Sequence, residues 1–222
     1  MREIVFDTET TGLNVDQGHR LIEIGCVELD DLIPTGRTFH HYLNPDRLIQ
    51  QGAVDVHGIT NAMLEDKPRF WEIAEALVAF VGDAPLVAHN AGFDRGFLNK
   101  ELSDCGWPDF PADRFVDTML LCRQRWPSQQ ANLDAVCERL GIDTSRRVKH
   151  GALLDAEILA EVYVELRGGR QHGLALSLAD ARPIAARPRV VRAPRPHAPS
   201  AEELAAHTAF VDALPDPMWR RG

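Results

Sequence analysis

No uninterrupted apolar run in this sequence approaches the length needed to cross a bilayer, so no membrane-spanning helix is expected. The chain opens Met1-Arg2-Glu3-Ile4-Val5-Phe6-Asp7 and meets an acidic motif before there is room for the apolar core of a signal peptide. A cytoplasmic location is therefore expected. Cysteine is scarce: Cys26, Cys105, Cys122 and Cys137 lie far apart with no Cys-x-x-Cys pair. Reduced thiols are expected rather than a zinc site or a disulfide framework. Positive charge is also in deficit, with 24 Lys and Arg against 33 Asp and Glu and a formal net charge of −9. That argues against an unaided grip on nucleic-acid phosphates. The deficit is uneven. Residues 168–222 hold eight Arg and five acidic residues, net +3, which leaves −12 for residues 1–167. Bound divalent cations would neutralise part of that charge locally, and a basic partner could supply the rest of the grip. No internal repeat is detectable.

What is present suits a globular protein: 222 residues, 45% apolar and 26% charged, enough for one domain and a tail. Ile4-Val5-Phe6, Arg20 to Leu29 and Thr38 to Leu43 read as three strands, and their short connections favour an antiparallel meander. Pro68 to Val81 has helical spacing, with Ile73, Leu77, Phe80 and Val81 on one face. Pro85 to His89 reads as a buried strand. Helical patterns follow over Gly92 to Ser103, Thr118 to Arg125, Leu133 to Leu140 and Ala152 to Leu166. Antiparallel strands followed by strand–helix alternation predict an α/β layer fold.

The pattern changes after Leu166, where Gly168-Gly169 could end the last helix. Residues 179–199, rich in Ala, Arg and five Pro, suit an extended solvated linker. Ser200-Ala-Glu-Glu203 is a capping box, followed by an apolar stripe of Leu204, Phe210, Val211 and Leu214 and then by Trp219. A helix that short is marginal alone in water, so a segment that folds on a partner is expected there.

Three elements carry chemistry. Asp7-Thr8-Glu9 ends the first strand; side chains alternate along a strand, so Asp7 and Glu9 share a face and Thr8 points away. Two carboxylates there repel unless a cation lies between them, and such hard oxygen ligands suit Mg²⁺ or Mn²⁺ rather than zinc. By itself, Asp-x-Glu is equally a solvated strand end. His89-Asn-Ala-Gly-Phe-Asp94 runs from a strand end into a helix start, where Asp94 is either a favourable first-turn acid or a third carboxylate at the edge that holds Asp7. In His150-Gly-Ala-Leu-Leu-Asp155 a spacing of five separates two residues by about 140° on a helix. His150 can meet Asp155 only from the loop before the helix, a place Gly151 makes available.

Together, Asp-x-Glu, then Asp, then His-x₄-Asp resembles the DEDDh family of 3′→5′ exonucleases. The match runs through Asp7-Thr-Glu9-Thr-Thr-Gly12, His89 to Asp94 and His150 to Asp155. Leu21-Ile-Glu-Ile-Gly25, Val56-His57-Gly-Ile59 and Asn132-Leu-Asp134 support it. The resemblance is closest to the epsilon-type proofreading subunits of bacterial DNA polymerase III, and its catalytic part covers residues 1–169. It implies an RNase H-like fold, a mixed central sheet with flanking helices plus a flexible C-terminal tail. It also implies two divalent ions, Mg²⁺ or Mn²⁺, held by Asp7, Glu9, Asp94 and Asp155. His150 would be the general base, a task suited to imidazole near neutral pH. Asp7, Glu9, Thr10, His57 and Asp155 would contact the terminal nucleotide of a DNA 3′ end.

For the tail, the resemblance implies a sliding-clamp segment over 170–178 carried by Gln171, Leu174 and Leu176. The 179–199 linker would follow, then a polymerase-subunit segment over 200–222 carried by Leu204, Phe210, Val211 and Trp219. It leaves room for a small theta-like subunit as well, and for no membrane contact. One departure stands out: relatives often carry Pro-Glu-Ala where this chain has Gln51-Gly52-Ala53, which removes a substrate-side Glu. Two other readings share these residues, an RNA 3′-exonuclease of the same fold and a non-catalytic module bridging clamp and polymerase.

Overall fold

The computed structural model describes residues 1–168 and 198–218. The expected clamp residues Gln171, Leu174 and Leu176, nearly all of the 179–199 linker, and Trp219 lie outside the described residues. The chain forms two units, residues 1–174 and 175–222.

The first unit is built on β1 (Arg2–Thr10), β2 (Leu21–Asp30) and β3 (Ile33–Tyr42), an antiparallel meander. α1 (Gln51–His57), α2 (Asn61–Leu64) and α3 (Phe70–Val81) follow. Then come β4 (Leu86–Ala88), α4 (Ala91–Asp104), β5 (Phe115–Asp117), α5 (Thr118–Arg125), α6 (Leu133–Leu140) and α7 (Ala152–Leu166). The sheet order is β3-β2-β1-β4-β5, with β4 parallel to both β1 and β5. β1 is therefore the seam between an antiparallel half and a parallel half.

Strand alternation separates two cores. Even-numbered Ile4 and Phe6 of β1 pack with Ile24, Cys26, Leu77, Phe97 and Leu98 on the α3–α4 face. Odd-numbered Val5 packs with Val27, Leu29, Val136, Leu159 and Tyr163 on the α6–α7 face. Each buried aliphatic or aromatic side chain contributes about 1.5–3 kcal/mol, so both helical layers are firmly held.

Several elements differ from the sequence reading. β1 and β3 are longer than expected; the added arm of β3, Ile33 to Arg37, is exposed and contains Pro34 and Gly36, so it lacks an apolar signature. β5 is only three residues long. α1 starts at Gln51 without a side-chain cap and buries only His57, which explains why no periodicity announced it.

The second unit contains α8 (Ala201–Asp212). Ser200 Oγ accepts the Glu203 amide at 3.2 Å, and Glu203 Oε2 accepts the Ser200 amide at 2.7 Å. This reciprocal cap satisfies two of the helix's orphan donors. Leu204 and Phe210 on α8 are exposed. Among the described residues, no helix is long and apolar enough to cross a membrane.

Candidate active site

Three chain segments converge at the β1 end that carries Asp7 and Glu9, and each is fixed locally. Asp7 pairs with Gly25 of β2. A Cβ on Gly25 would lie 2.3 Å from the Leu153 amide nitrogen and 2.4 Å from the Ala152 carbonyl carbon, so only glycine lets the start of α7 rest on the sheet beside Asp7. The corner between β4 and α4 is set by His89, which lies 2.8 Å from Thr118 Oγ1 and 2.7 Å from the Ala131 carbonyl. Asn90 takes the left-handed conformation there (φ 70°), which Asn tolerates better than most residues, and its amide donates to Asp117 Oδ1 at 3.2 Å. α7 begins after Gly151, which places His150 on the preceding loop.

The four carboxylates enter the same electrostatic environment. Asp7 sits well above the usual carboxylate range, pushed up by burial and then by the charges of Asp94, Glu9 and Asp155. Glu9, 9% exposed, is raised to about 8 by burial and by Asp155, Glu23 and Asp94. Asp94 is buried and raised to about 7, chiefly by burial, even though Thr8 Oγ1 donates to its Oδ1 at 2.7 Å. Thr8 thus points away from Asp7 and Glu9, as alternation requires, and meets Asp94 on the α4 face. Burial also pushes Asp155 up, but hydrogen bonds and positive charge from His150 and Arg147 outweigh it and leave Asp155 below its ordinary value.

His150 Nδ1 lies 3.4 Å from Asp155 Oδ2, and ligand atoms of Glu9, His150 and Asp155 fall within 4.8 Å of one another, a spacing that can hold a metal ion. Acidic groups this buried and mutually repelling lack sufficient counter-charge. Arg147 is the cation whose charge opposes the rise of both Asp7 and Glu9. The carboxylates in that condition offer hard oxygen donors, which fit divalent cations of the Mg²⁺ or Mn²⁺ kind.

Beside the carboxylates lies a cleft of about 310 Å³ lined by Thr8, Glu9, Thr10, Leu13, Gly52, Val56, His57 and Phe93, among others. Thr10 Oγ1 donates to the Gly12 carbonyl at 2.7 Å, which shapes the turn at one wall. His57, 5% exposed, accepts the Ile59 amide on Nδ1 at 2.9 Å, while Nε2 has no partner of hydrogen-bonding geometry; burial lowers its pKa. At Gly52 nothing stands within 4 Å of the position a Cβ would take. Among the described residues, no other group takes the place of a side chain there.

The structure therefore gathers Asp7, Glu9, Asp94, Asp155 and His150 at one site, with Thr10 and His57 in the adjoining cleft. Leu204, Phe210 and Val211 belong to α8 of the second unit. Sequence reasoning missed Arg147, Thr8 as the Asp94 partner, and the packing duty of Gly25. Arg147 follows Arg146 in a polar stretch and looks like any surface cation; only its 7% side-chain exposure sets it apart.

Comparison with known proteins adds to this geometry. A family model described as exonuclease matches residues 4–163. The chain is similar to the DNA polymerase III subunit epsilon of Rickettsia felis, 48% identical over 174 residues covering 77% of this chain and 76% of the relative. It is also similar to the subunit of that name from Rickettsia prowazekii, 41% identical over 229 residues covering 96% of this chain and 97% of the relative. Among solved structures it resembles exonuclease X in complex with 5′ overhanging duplex DNA, at 29% identity and a TM-score of 0.58, covering 76% of this chain and 91% of that one.

Proposed function

The chain belongs to the exonuclease family, among the DNA polymerase III epsilon subunits, and from that premise we propose how its site works. The protein is a hydrolytic 3′→5′ exonuclease that proofreads DNA synthesis, and it uses divalent metal. Two ions, Mg²⁺ or Mn²⁺, would be held by Asp7, Glu9, Asp94 and Asp155. When bound, such ions supply Lewis-acid stabilisation of the attacking and leaving oxygens of an in-line displacement.

The rest of the work falls to side chains of this protein. His150 accepts the proton of the attacking water, from a loop position that lets the ring approach and withdraw. Thr10 and His57 border the cleft that receives the terminal nucleotide and shape the wall it meets. The product is a nucleoside 5′-monophosphate. Mismatched ends enter more readily because they cost less to unpair.

The observation that carries the reading is the convergence of four carboxylates whose burial and mutual repulsion call for cations, with His150 within 3.4 Å of Asp155. The weak DNA grip expected of an acidic nuclease unit would be offset by tethering, which raises its effective concentration at the primer end. We assign that tethering to the polymerase through residues 200–222, with Leu204, Phe210, Val211 and Trp219 as contacts, and to the sliding clamp through Gln171, Leu174 and Leu176. Residues 1–169 would form the nuclease and 179–199 the link between the two contacts. The decisive experiment measures nucleotide release from labelled single-stranded, paired and mismatched DNA and from RNA, with and without Mn²⁺, beside Asp7→Ala. Metal-dependent release that favours single-stranded and mismatched DNA and vanishes in the variant supports the assignment. Release from RNA alone, or activity retained in Asp7→Ala, overturns it.

A further inference from the structure

The most densely engaged side chain near the site is one to which the mechanism above gives no role. Arg147 lies in the turn that precedes α7, where its amide donates to the Thr144 carbonyl at 2.8 Å. Its Nε and Nη2 form a fork on Asp155, at 2.5 Å to Oδ1 and 2.8 Å to Oδ2. Nη2 also reaches His150 Nδ1 at 2.8 Å, and Nη1 pairs with Asp134, whose side chain is 70% exposed. A guanidinium only donates. In the neutral ring His150 Nδ1 is therefore the acceptor in this contact, its lone pair directed at Arg147, whereas the pairing with Asp155 at 3.4 Å belongs to the protonated ring. A bidentate fork fixes a carboxylate more tightly than a single ammonium would.

We propose that Arg147 is a positioning residue that acts as the site's resident cation, holding Asp155 and His150 in place until a divalent ion arrives and then yielding Asp155 to it. The idea rests on the metal-dependent reading above. It explains why one guanidinium is shared between an inner pair and an outer anchor. Asp134 gives Arg147 a place to retain its charge pairing once Asp155 turns to a metal, and that same movement would release the lone pair of His150. Arg147 and the metal thus compete for one carboxylate, a relation that a residue serving only to pack the loop would not have.

The test compares full-length wild type with Arg147→Met, Arg147→Lys and Asp134→Asn. It reads Mn²⁺ affinity by calorimetry in the absence of nucleic acid, and melting temperature in EDTA and in Mn²⁺. Arg147→Met is expected to melt lower in EDTA, to recover most of the loss in Mn²⁺, and to bind Mn²⁺ about tenfold more tightly, since a competing unit charge has gone from a poorly solvated site. Arg147→Lys keeps the charge but loses the fork, so it should fall between wild type and Arg147→Met in both readings. Asp134→Asn should bind Mn²⁺ more weakly, because the guanidinium then leans wholly on Asp155. Equal loss of melting temperature with and without metal, together with unchanged or weaker Mn²⁺ binding in Arg147→Met, overturns the proposal. If Arg147→Met does not fold, Asp134→Asn decides: unchanged affinity overturns the proposal and weakened affinity supports it. A wild type that binds no Mn²⁺ overturns the metal-dependent reading as well, which separates that failure from failure of Arg147 alone.

Discussion

Asp94 and Asp155 occupy the same position in their helices, each the fourth residue, of α4 and of α7 respectively, and both are buried. Burial pushes both carboxyls up. Yet Asp94 ends near 7 and Asp155 ends below its ordinary value. The helix dipole cannot account for the difference, because both sit in a first turn. Their partners can. Asp94 receives neutral donors, the Thr8 hydroxyl and backbone N–H groups of Thr8 and its own residue, whereas Asp155 receives a bidentate guanidinium and lies beside His150. Protonation in this site is thus set by what each face of the sheet sends toward it. One flank of the site is ready to ionise without metal, and the other needs metal to do so.

The most severe way to probe that asymmetry is Asp94→Asn against Asp155→Asn. Both should lower nucleotide release by about 10³-fold or more, since each removes a metal-binding charge. They should part company in the metal-free protein: Asp94→Asn keeps an acceptor for Thr8 and loses only unwanted charge, so its melting temperature should hold or rise at pH 8. Asp155→Asn leaves a buried guanidinium poorly matched and should melt lower. Equal melting behaviour in the two variants would break the comparison.

Next in size is the pH dependence of metal-free wild type. Glu9 and Asp94 have native values near 8 and 7, above those of an unfolded chain. The native state therefore binds more protons, and its advantage, complete below pH 4, is lost as pH rises through 7 to 8. The loss should be on the order of 3 kcal/mol, read as a fall in melting temperature from pH 6 to pH 8.5 in EDTA. Saturating Mn²⁺ should flatten that slope; a slope unchanged by metal would count against the site as drawn.

Gly25→Ala tests whether the Asp155 flank depends on backbone contact. The added methyl meets the backbone of Ala152 and Leu153, which cannot rotate away as a side chain could, and should cost about 2 kcal/mol of stability. Activity should fall with α7 displaced, and Mn²⁺ binding should weaken. Thr8→Val addresses the other flank with the smallest effect. Losing one hydrogen bond to a charged group costs about 1.5–2 kcal/mol, and it should move the acid limb of the pH–rate profile upward because Asp94 becomes harder to ionise. A profile that does not move would show that Thr8 leaves Asp94 alone.

The sequence made one flank easier to see than the other. Alternation along β1 put Asp7 and Glu9 on a common face, and Gly151 allowed His150 to sit on a loop, because these are local rules that need no knowledge of distant residues. The longer helices, α3 to α7, were visible for the same reason. Arg147 was not, since its importance comes from burial against Asp155 and Asp134, a tertiary fact with no local pattern. Gly25 sits in a strand that reads well without it, and the helix backbone it accommodates lies more than a hundred residues away. β5 and α1 stayed hidden because a three-residue strand and an uncapped helix burying one His leave almost no periodic trace.

Because β1 lies at the centre of the sheet, with the α4 core on one side and the α7 core on the other, the two aspartates reach the site from opposite faces of one layer. The width of the site is therefore set by how closely each helix rests on that layer. On the α7 side the approach is backbone against backbone at Gly25. A change in either interior that lifted a helix off the sheet would widen the span that the carboxylates must bridge.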